Sequence, residues 1–121
     1  MSERKVLVYG ANGYTGKLIS ESLAQRNIPF YMVGRSLEKL EAAKKIVEQR
    51  HGSTIDAQLI AASNSPDELR PIFEKVDIVI NVSGPFMQIG WPIVETALEQ
   101  NCHYIDTTGE QDWTAAINEK Y

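Results

Sequence analysis

Cysteine is nearly absent from this 121-residue sequence, which contains only Cys102. A single cysteine forms no disulfide within the chain, which fits the reducing cytoplasm, where we expect the protein to act. Long apolar runs are also missing, since none approaches the roughly 18 residues typical of a membrane span. Residues 1–5 carry no apolar signal-peptide core, so we expect neither secretion nor membrane insertion.

An excess of basic residues is missing as well. The 12 lysines and arginines are outnumbered by 16 aspartates and glutamates, which gives a net charge of −4, and the basic residues form no cluster. Binding to the phosphate backbone of nucleic acids requires such clusters, so nucleic acid is not an expected partner. The two histidines, His51 and His103, have no further ligand at the spacing of a metal site, and we predict no bound metal.

The sequence alternates short β-branched segments with amphipathic helical ones, without repeats or linker-like stretches. Strands are predicted at 5–9, 30–33, 55–60, 76–82 and 103–106, and helices at 14–26 and 37–50, from 66, at 91–100 and from 113. Strict alternation implies right-handed crossovers between parallel strands. We therefore predict an α/β fold in one domain, residues 1–121: a Rossmann doubly wound parallel sheet of about five strands with helices on both faces.

A glycine-rich segment, GANGYTG, follows the first predicted strand and opens the first predicted helix. Gly10 permits a tight turn, Gly13 lets the backbone approach a pyrophosphate at the helix N-terminus, and Gly16 allows the helix to pack closely against the sheet. This placement predicts dinucleotide binding, with three purely structural glycines as the alternative. A P-loop is rejected because Leu18 follows Lys17, where a serine or threonine is needed, and because the glycine spacing differs.

The second predicted strand ends in VGRS, residues 33–36. NAD-binding domains carry an acidic residue in this region, which accepts hydrogen bonds from the ribose 2′-hydroxyl. Here Arg35 offers a planar cation for a 2′-phosphate, and Ser36 offers a hydroxyl and the N-terminus of the next helix. The segment therefore predicts NADP(H) rather than NAD(H) as the ligand, unless Arg35 is a plain surface residue and Ser36 only a helix cap.

The loop after the fourth predicted strand reads SGPF, residues 83–86. At this end of a doubly wound sheet the loop lies over the cofactor: Ser83 and Gly84 would leave room for it, and Pro85 would stiffen the backbone. An ordinary loop is the alternative. Asp106 ends the fifth predicted strand and Glu110 follows it; helix capping is favoured there over acid–base chemistry, so the catalytic residues stay unassigned.

Together, GANGYTG, GRS, SGPF and the later HYIDTTGE (103–110) resemble the N-terminal domain of the saccharopine dehydrogenase-like oxidoreductases, a family that includes trans-acting enoyl reductases. The resemblance spans nearly the whole chain and implies an NADP-binding Rossmann domain. Carried over position by position, it implies a phosphate loop formed by Gly10, Asn12, Gly13, Tyr14, Thr15 and Gly16. It implies a 2′-phosphate site at Arg35 and Ser36. It also implies that Ser83, Gly84 and Pro85 form the loop beside the nicotinamide ribose.

The resemblance also implies a longer enzyme, in which a C-terminal α+β domain shapes the substrate pocket and mediates dimerisation. We therefore expect the chain to be an N-terminal fragment that is inactive alone, while the full-length protein, as a homodimer, transfers hydride to or from a small-molecule substrate. One departure is the stretch AASN (61–64), where many relatives carry an aspartate near the adenine. Two alternatives are an NADP-sensing regulator without catalysis and a short-chain-dehydrogenase-like enzyme, whose Tyr-x-x-x-Lys pair this chain lacks.

Overall fold

The structure, a computed structural model, describes residues 4–83, 90–107, 117, 119 and 120. Within these residues five strands alternate with four helices. The strands are β1 Val6–Tyr9, β2 Phe30–Gly34, β3 Ala57–Ala61, β4 Ile78–Asn81 and β5 His103–Asp106. The helices are α1 Tyr14–Gln25, α2 Leu37–His51, α3 Pro66–Phe73 and α4 Trp91–Glu99. The predicted alternation is confirmed.

The strand boundaries differ from the predicted ones by up to two residues. β3 begins at Ala57 rather than at residue 55, and β4 is shorter than the predicted 76–82. Ile55 and Val76 are buried, as their apolar character suggests. Val76, however, donates its N–H to the carbonyl of Phe73, in the turn that leaves α3. The apolar pattern is longer than the strand, because residues next to the strand are buried without pairing in the sheet.

All neighbouring strands are parallel, in the order β3-β2-β1-β4-β5. The central strand is β1, where Val8 pairs with Met32 on one side and Ile80 on the other. The chain runs outward from β1 to β3 and then crosses back to β4. This reversal leaves a crevice between the carboxyl ends of β1 and β4, which is where doubly wound sheets bind ligands.

Two apolar cores lie on opposite faces of this sheet, because successive residues of a strand point to opposite faces. Leu7 and Val79 belong to a core that α3 and α4 complete through Phe73 and Ile93. Val8 belongs to the other core, with the residues of α1 and α2. The predicted doubly wound sheet with helices on both faces is therefore confirmed.

Cys102 is part of the first core. Its thiol lies 3.3 Å from the carbonyl oxygens of both Phe73 and Val76, and burial raises its pKa. A buried thiol of raised pKa is a packing residue rather than a nucleophile.

The predicted last helix, from residue 113, falls mostly outside the described residues. Ile117, Glu119 and Lys120 are helical. The Lys120 ammonium lies 3.0 Å from a carboxylate oxygen of Glu95 and 5.1 Å from the centroid of the Trp91 ring, so this segment packs against α4. None of the described helices has the length and apolarity needed to cross a membrane. Among the described residues, no three histidine, cysteine or carboxylate side chains gather as a metal site would require.

Candidate functional site: a cofactor crevice at the carboxyl edge of the sheet

Gly10 turns the chain out of β1. Its φ of +85° lies in the left-handed region, which favours glycine. The N–H groups of Gly10 and Ala11 both donate to the carbonyl of Val33, at 2.8 and 3.2 Å. A β-carbon on Gly10 would also lie 2.9 Å from the backbone nitrogen of Ser83. Glycine is required here both by the turn and by the close approach of the loop that follows β4.

Gly13 is the N-cap residue of α1 and is exposed. Its backbone is extended, with φ −79° and ψ 175°, which any residue can adopt. A β-carbon here would have one neighbour within 4 Å, the carbonyl oxygen of Gly10 at 3.5 Å, which is ordinary contact. The described part of the chain therefore does not itself require glycine at this position, whereas a ligand approaching the backbone would.

The N-terminus of α1 carries neither a side-chain cap nor an acidic residue in its first turn. By contrast, α2 is capped by Ser36 and has Glu38 in its first turn, and α3 has Asp67 and Glu68 in its first turn, whereas α4 resembles α1 in having neither a side-chain cap nor an acidic residue there. Helix N-termini present unpaired N–H groups and a partial positive charge, which side-chain oxygens or anions satisfy. The first turn of α1 is thus electrostatically suited to an anionic ligand such as a phosphate.

Gly16 makes the tightest backbone approach. A β-carbon at this position would lie 2.5 Å from the carbonyl oxygen of Gly10 and 2.7 Å from the Cα of Ala11. We expected Gly16 to let the helix pack against the sheet. In the structure its closest neighbour is instead the backbone of the glycine loop itself. Gly16 lets α1 begin directly over the turn that leaves β1.

Asn12 connects the glycine loop to the end of β2. A β-carbon on Gly34 would lie 2.9 Å from the Asn12 side-chain oxygen, so the Asn12 amide lies over this glycine. Sequence reasoning assigned no role to Gly34, although a glycine at the end of a strand was a usable signal for such an approach.

Arg35 directly follows β2, and its side chain is exposed. The buried ring of Tyr9 extends past β2 until its hydroxyl lies 3.4 Å from the carbonyl oxygen of Ala62. Burial raises the pKa of the Tyr9 phenol, while a hydrogen bond and the positive charge from Arg35 oppose that rise. The guanidinium of Arg35 therefore lies beside the Tyr9 hydroxyl at the carboxyl edge of the sheet. The Ser36 hydroxyl accepts the N–H of Lys39 at 3.3 Å, which confirms its predicted role as the cap of α2.

The stretch that departs from the family pattern forms a turn before α3. The N–H and hydroxyl of Ser63 both donate to the Glu68 carboxylate, the N–H at 3.2 Å. These hydrogen bonds lower the pKa of Glu68. The carboxylate that lies beside this turn thus comes from the first turn of α3 rather than from an aspartate after β3.

Ser83 is held by a chain of side chains that sequence reasoning did not recognise. The N–H and hydroxyl of Ser83 donate to the Asn81 amide oxygen, at 3.0 and 2.7 Å. The Asn81 amide nitrogen donates to the Tyr104 hydroxyl at 3.0 Å, and that hydroxyl donates to Asp106 at 3.0 Å. Burial raises the pKa of Tyr104 well above its usual range. The signal available in the sequence was a polar asparagine at the end of the apolar segment VDIVIN. In the structure this asparagine is fully buried.

The predicted site segments converge at the carboxyl edge of β1, β2 and β4. The glycine loop lies against Ser83 through Gly10 and over the end of β2 through Asn12. Gly84, Pro85 and Glu110 lie outside the described residues.

Residues 6–121 match the family described as the saccharopine dehydrogenase NADP binding domain. The chain belongs to this family. NADP is accordingly its cofactor, and the position of the glycine loop at the crevice agrees with that assignment. The resemblance inferred from the sequence is confirmed.

Relatives of this NADP-binding domain include proteins with different names. A lipid droplet localized protein of Caenorhabditis elegans is 31% identical, with 100% of this chain covering 30% of that protein. A saccharopine dehydrogenase-like oxidoreductase of Rattus norvegicus is 28% identical, over 97% of this chain and 30% of that protein. A trans-acting enoyl reductase of Mycobacterium ulcerans is 30% identical, over 89% of this chain and 26% of that protein. The chain thus spans about a third or less of the length of these relatives.

Solved structures similar to the domain include dehydrogenases and reductases. The NADP complex of RhlG from Pseudomonas aeruginosa superimposes with a TM-score of 0.66 at 19% identity, covering 99% of this chain and 64% of that one. A short-chain type dehydrogenase/reductase from Mycobacterium marinum gives a TM-score of 0.61 at 17% identity, covering 83% and 49%. At such low identity these likenesses establish the fold alone.

Proposed function

We propose that this domain holds NADP(H) for hydride transfer to or from a small-molecule substrate in a longer saccharopine dehydrogenase-like oxidoreductase. The observation that carries the proposal is the uncapped N-terminus of α1, directly after a glycine loop that approaches Ser83 through Gly10 and the end of β2 through Asn12. The nicotinamide ring supplies the hydride when the cofactor is bound. The residues of this chain bind and orient it.

The pyrophosphate is proposed to lie on the first turn of α1. Tyr14 and Thr15 offer backbone N–H groups there, and the bare backbone at Gly13, whose own N–H donates to the Gly10 carbonyl at 3.1 Å, allows the closest approach. Gly10 and Gly16 shape this loop rather than touch the ligand, because their Cα atoms face neighbouring backbone.

The adenosine end is proposed to lie beyond β2, over Arg35. The guanidinium is exposed, as contact with a ligand requires, and it lies beside the Tyr9 hydroxyl. A charge-assisted bond of this kind contributes about 1.5–3 kcal/mol, which corresponds to about 10- to 150-fold in affinity. Ser36 adds the N-terminus of α2, although its hydroxyl oxygen already accepts one backbone N–H. Ser83, with Gly84 and Pro85, is proposed to border the nicotinamide ribose.

The rest of the enzyme is proposed from its relatives, which extend far beyond the length of this chain. A further domain would provide the substrate pocket and a homodimer interface, so we expect the 121-residue chain alone to bind the cofactor without turnover. The mammalian and mycobacterial relatives are named as an oxidoreductase and a reductase, which favours an enzyme over an NADP-sensing regulator. The cytoplasm remains the proposed location.

The test is a calorimetric titration of the protein with NADPH and, separately, with NADH. NADPH is expected to bind about 10- to 150-fold more tightly, because only NADPH carries the 2′-phosphate. Equal affinity for the two cofactors, or binding of neither, would contradict the proposal. Absence of NADPH oxidation by the same sample is the expected companion result, and turnover would show that this chain already holds a complete active site.

A further inference from the structure

Asn81 is a fully buried polar residue at the carboxyl end of β4. It pairs with Asp106 in the parallel register between β4 and β5, and Tyr104 lies two residues earlier on β5. Residues two apart on a strand point to the same face, so the three side chains meet on one side of the sheet. They form the hydrogen-bond chain that ends on Ser83.

The direction of every hydrogen bond in this chain is fixed by chemistry. The Ser83 backbone N–H can only donate, so the Asn81 group facing it at 3.0 Å is the amide oxygen. The amide nitrogen must then face Tyr104, whose oxygen accepts at 3.0 Å. The single Tyr104 proton is left for the Asp106 carboxylate, which also lies at 3.0 Å. Asp106 and the Ser83 backbone thus orient the Asn81 amide from both ends.

This order determines what Ser83 presents to the crevice. The amide oxygen of Asn81 has no proton, so the Ser83 hydroxyl donates its own proton across the 2.7 Å contact. The Ser83 oxygen is left with lone pairs only. It can therefore accept a hydrogen bond from a ligand, but cannot donate one without breaking its bond to Asn81.

We propose that Asn81 is a positioning residue for the nicotinamide half of the cofactor, which fixes Ser83 as an acceptor for a ribose hydroxyl. The inference rests on the proposed binding mode, in which Ser83 borders the nicotinamide ribose. Ser83 lies directly against Gly10, where the glycine loop leaves β1, whereas Arg35 follows a different strand. Replacing Asn81 should thus weaken binding of the nicotinamide half of the cofactor and leave binding of the adenosine half unchanged.

The experiment compares two ligands, NADP⁺ and adenosine 2′,5′-bisphosphate, which has the 2′-phosphate but no nicotinamide ribose. Binding of both is measured by calorimetry for the wild type, Asn81→Leu, Ser83→Ala and the double variant. Leucine has the same branched arrangement of heavy atoms as asparagine but neither accepts nor donates a hydrogen bond. We expect Asn81→Leu to lower the affinity for NADP⁺ about 3- to 10-fold, because one neutral hydrogen bond is lost. The affinity for the bisphosphate should stay unchanged.

The double variant separates positioning from general destabilisation. If Asn81 acts through the Ser83 hydroxyl, then Asn81→Leu has little further effect once Ser83 is alanine. The inference would be overturned by an equal loss of affinity for both ligands or by an unchanged affinity for NADP⁺. A full additional loss of NADP⁺ affinity in the double variant would overturn it as well. Should Asn81→Leu fail to fold, Ser83→Ala alone must still weaken NADP⁺ selectively, and its failure to do so overturns the inference equally.

A failure of the cofactor proposal is distinguishable from a failure of this inference. Wild-type protein that does not bind the bisphosphate contradicts the 2′-phosphate site at Arg35, whatever Asn81 does. Wild-type protein that binds the bisphosphate, with NADP⁺ affinity indifferent to Asn81 and Ser83, leaves that site standing and removes only the role of Asn81.

Discussion

Gly16 lies directly against Gly10: a β-carbon on the former would be 2.5 Å from the carbonyl oxygen of the latter. Backbone atoms cannot yield as a flexible side chain can, so Gly16→Ala must push α1 away from the end of β1. Overpacking of this kind costs typically about 1–3 kcal/mol. We expect urea denaturation to show a loss of unfolding free energy of that size. Wild-type stability in Gly16→Ala would show that the approach is looser than the structure has it.

Gly13→Ala is the matched variant in the same loop. Its backbone is extended and its β-carbon would meet only the Gly10 carbonyl oxygen at 3.5 Å, so the unfolding free energy is expected to stay near that of the wild type. NADPH binding should fall at least about tenfold, because a misplaced phosphate contact forfeits a charge-assisted bond. Calorimetry on the folded variant checks this result. Unchanged affinity for NADPH would contradict the proposed placement of the pyrophosphate on the first turn of α1.

Alkaline pH should destabilise the protein partly through Tyr104. Burial raises its pKa in the folded state, and the hydrogen bond from Asn81 only partly offsets that rise. The unfolded chain ionises near the ordinary tyrosine pKa of about 10, so above that pH the unfolded state binds fewer protons than the folded state and stability falls. Below that pH the contribution is fully present.

Tyr104→Phe should therefore reduce the loss of unfolding free energy between about pH 9 and 11, measured by urea denaturation. Tyr14→Phe is the control, since Tyr14 is 71% exposed and its substitution removes a phenol without altering the buried hydrogen-bond chain. Parallel pH curves for the wild type and Tyr104→Phe would contradict the buried, protonated state of this hydroxyl.

Cys102 should be unreactive in the native protein. It is 5% exposed, its thiol contacts two backbone carbonyls, and burial raises its pKa, all of which suppress the thiolate. Labelling with a disulfide reagent is expected to follow the unfolding transition when urea is added. Rapid stoichiometric labelling without denaturant would show that the turn between α4 and β5 opens independently.

The sequence was most informative where the signal is local. The alternation of apolar strand segments with amphipathic helical ones located every described element, and His103–Asp106 matches its predicted bounds. Ser36 was recognisable as a cap because a cap needs only its own helix. Glycine spacing predicted the turn at Gly10, which its φ of +85° confirms.

Contacts between distant segments could not be predicted in the same way. The Asn81–Tyr104 hydrogen bond depends on the register between β4 and β5, which local patterns do not specify. The approach of Asn12 to Gly34 likewise depends on how the glycine loop folds over a neighbouring strand. The family resemblance indicated which segments to expect at the cofactor site, whereas the sheet geometry showed which side chains hold those segments in place.

The central claim is that Arg35 makes this crevice selective for NADP(H), and one comparison tests it most directly. Affinities for NADPH and NADH are measured on Arg35→Ala and on Arg50→Ala, an identical change of charge in the last turn of α2. We predict that Arg35→Ala lowers NADPH affinity by about 10- to 150-fold, leaves NADH affinity unchanged, and so removes the preference, while Arg50→Ala preserves it. An undiminished preference for NADPH in Arg35→Ala, or an equal loss of preference in both variants, would contradict the claim.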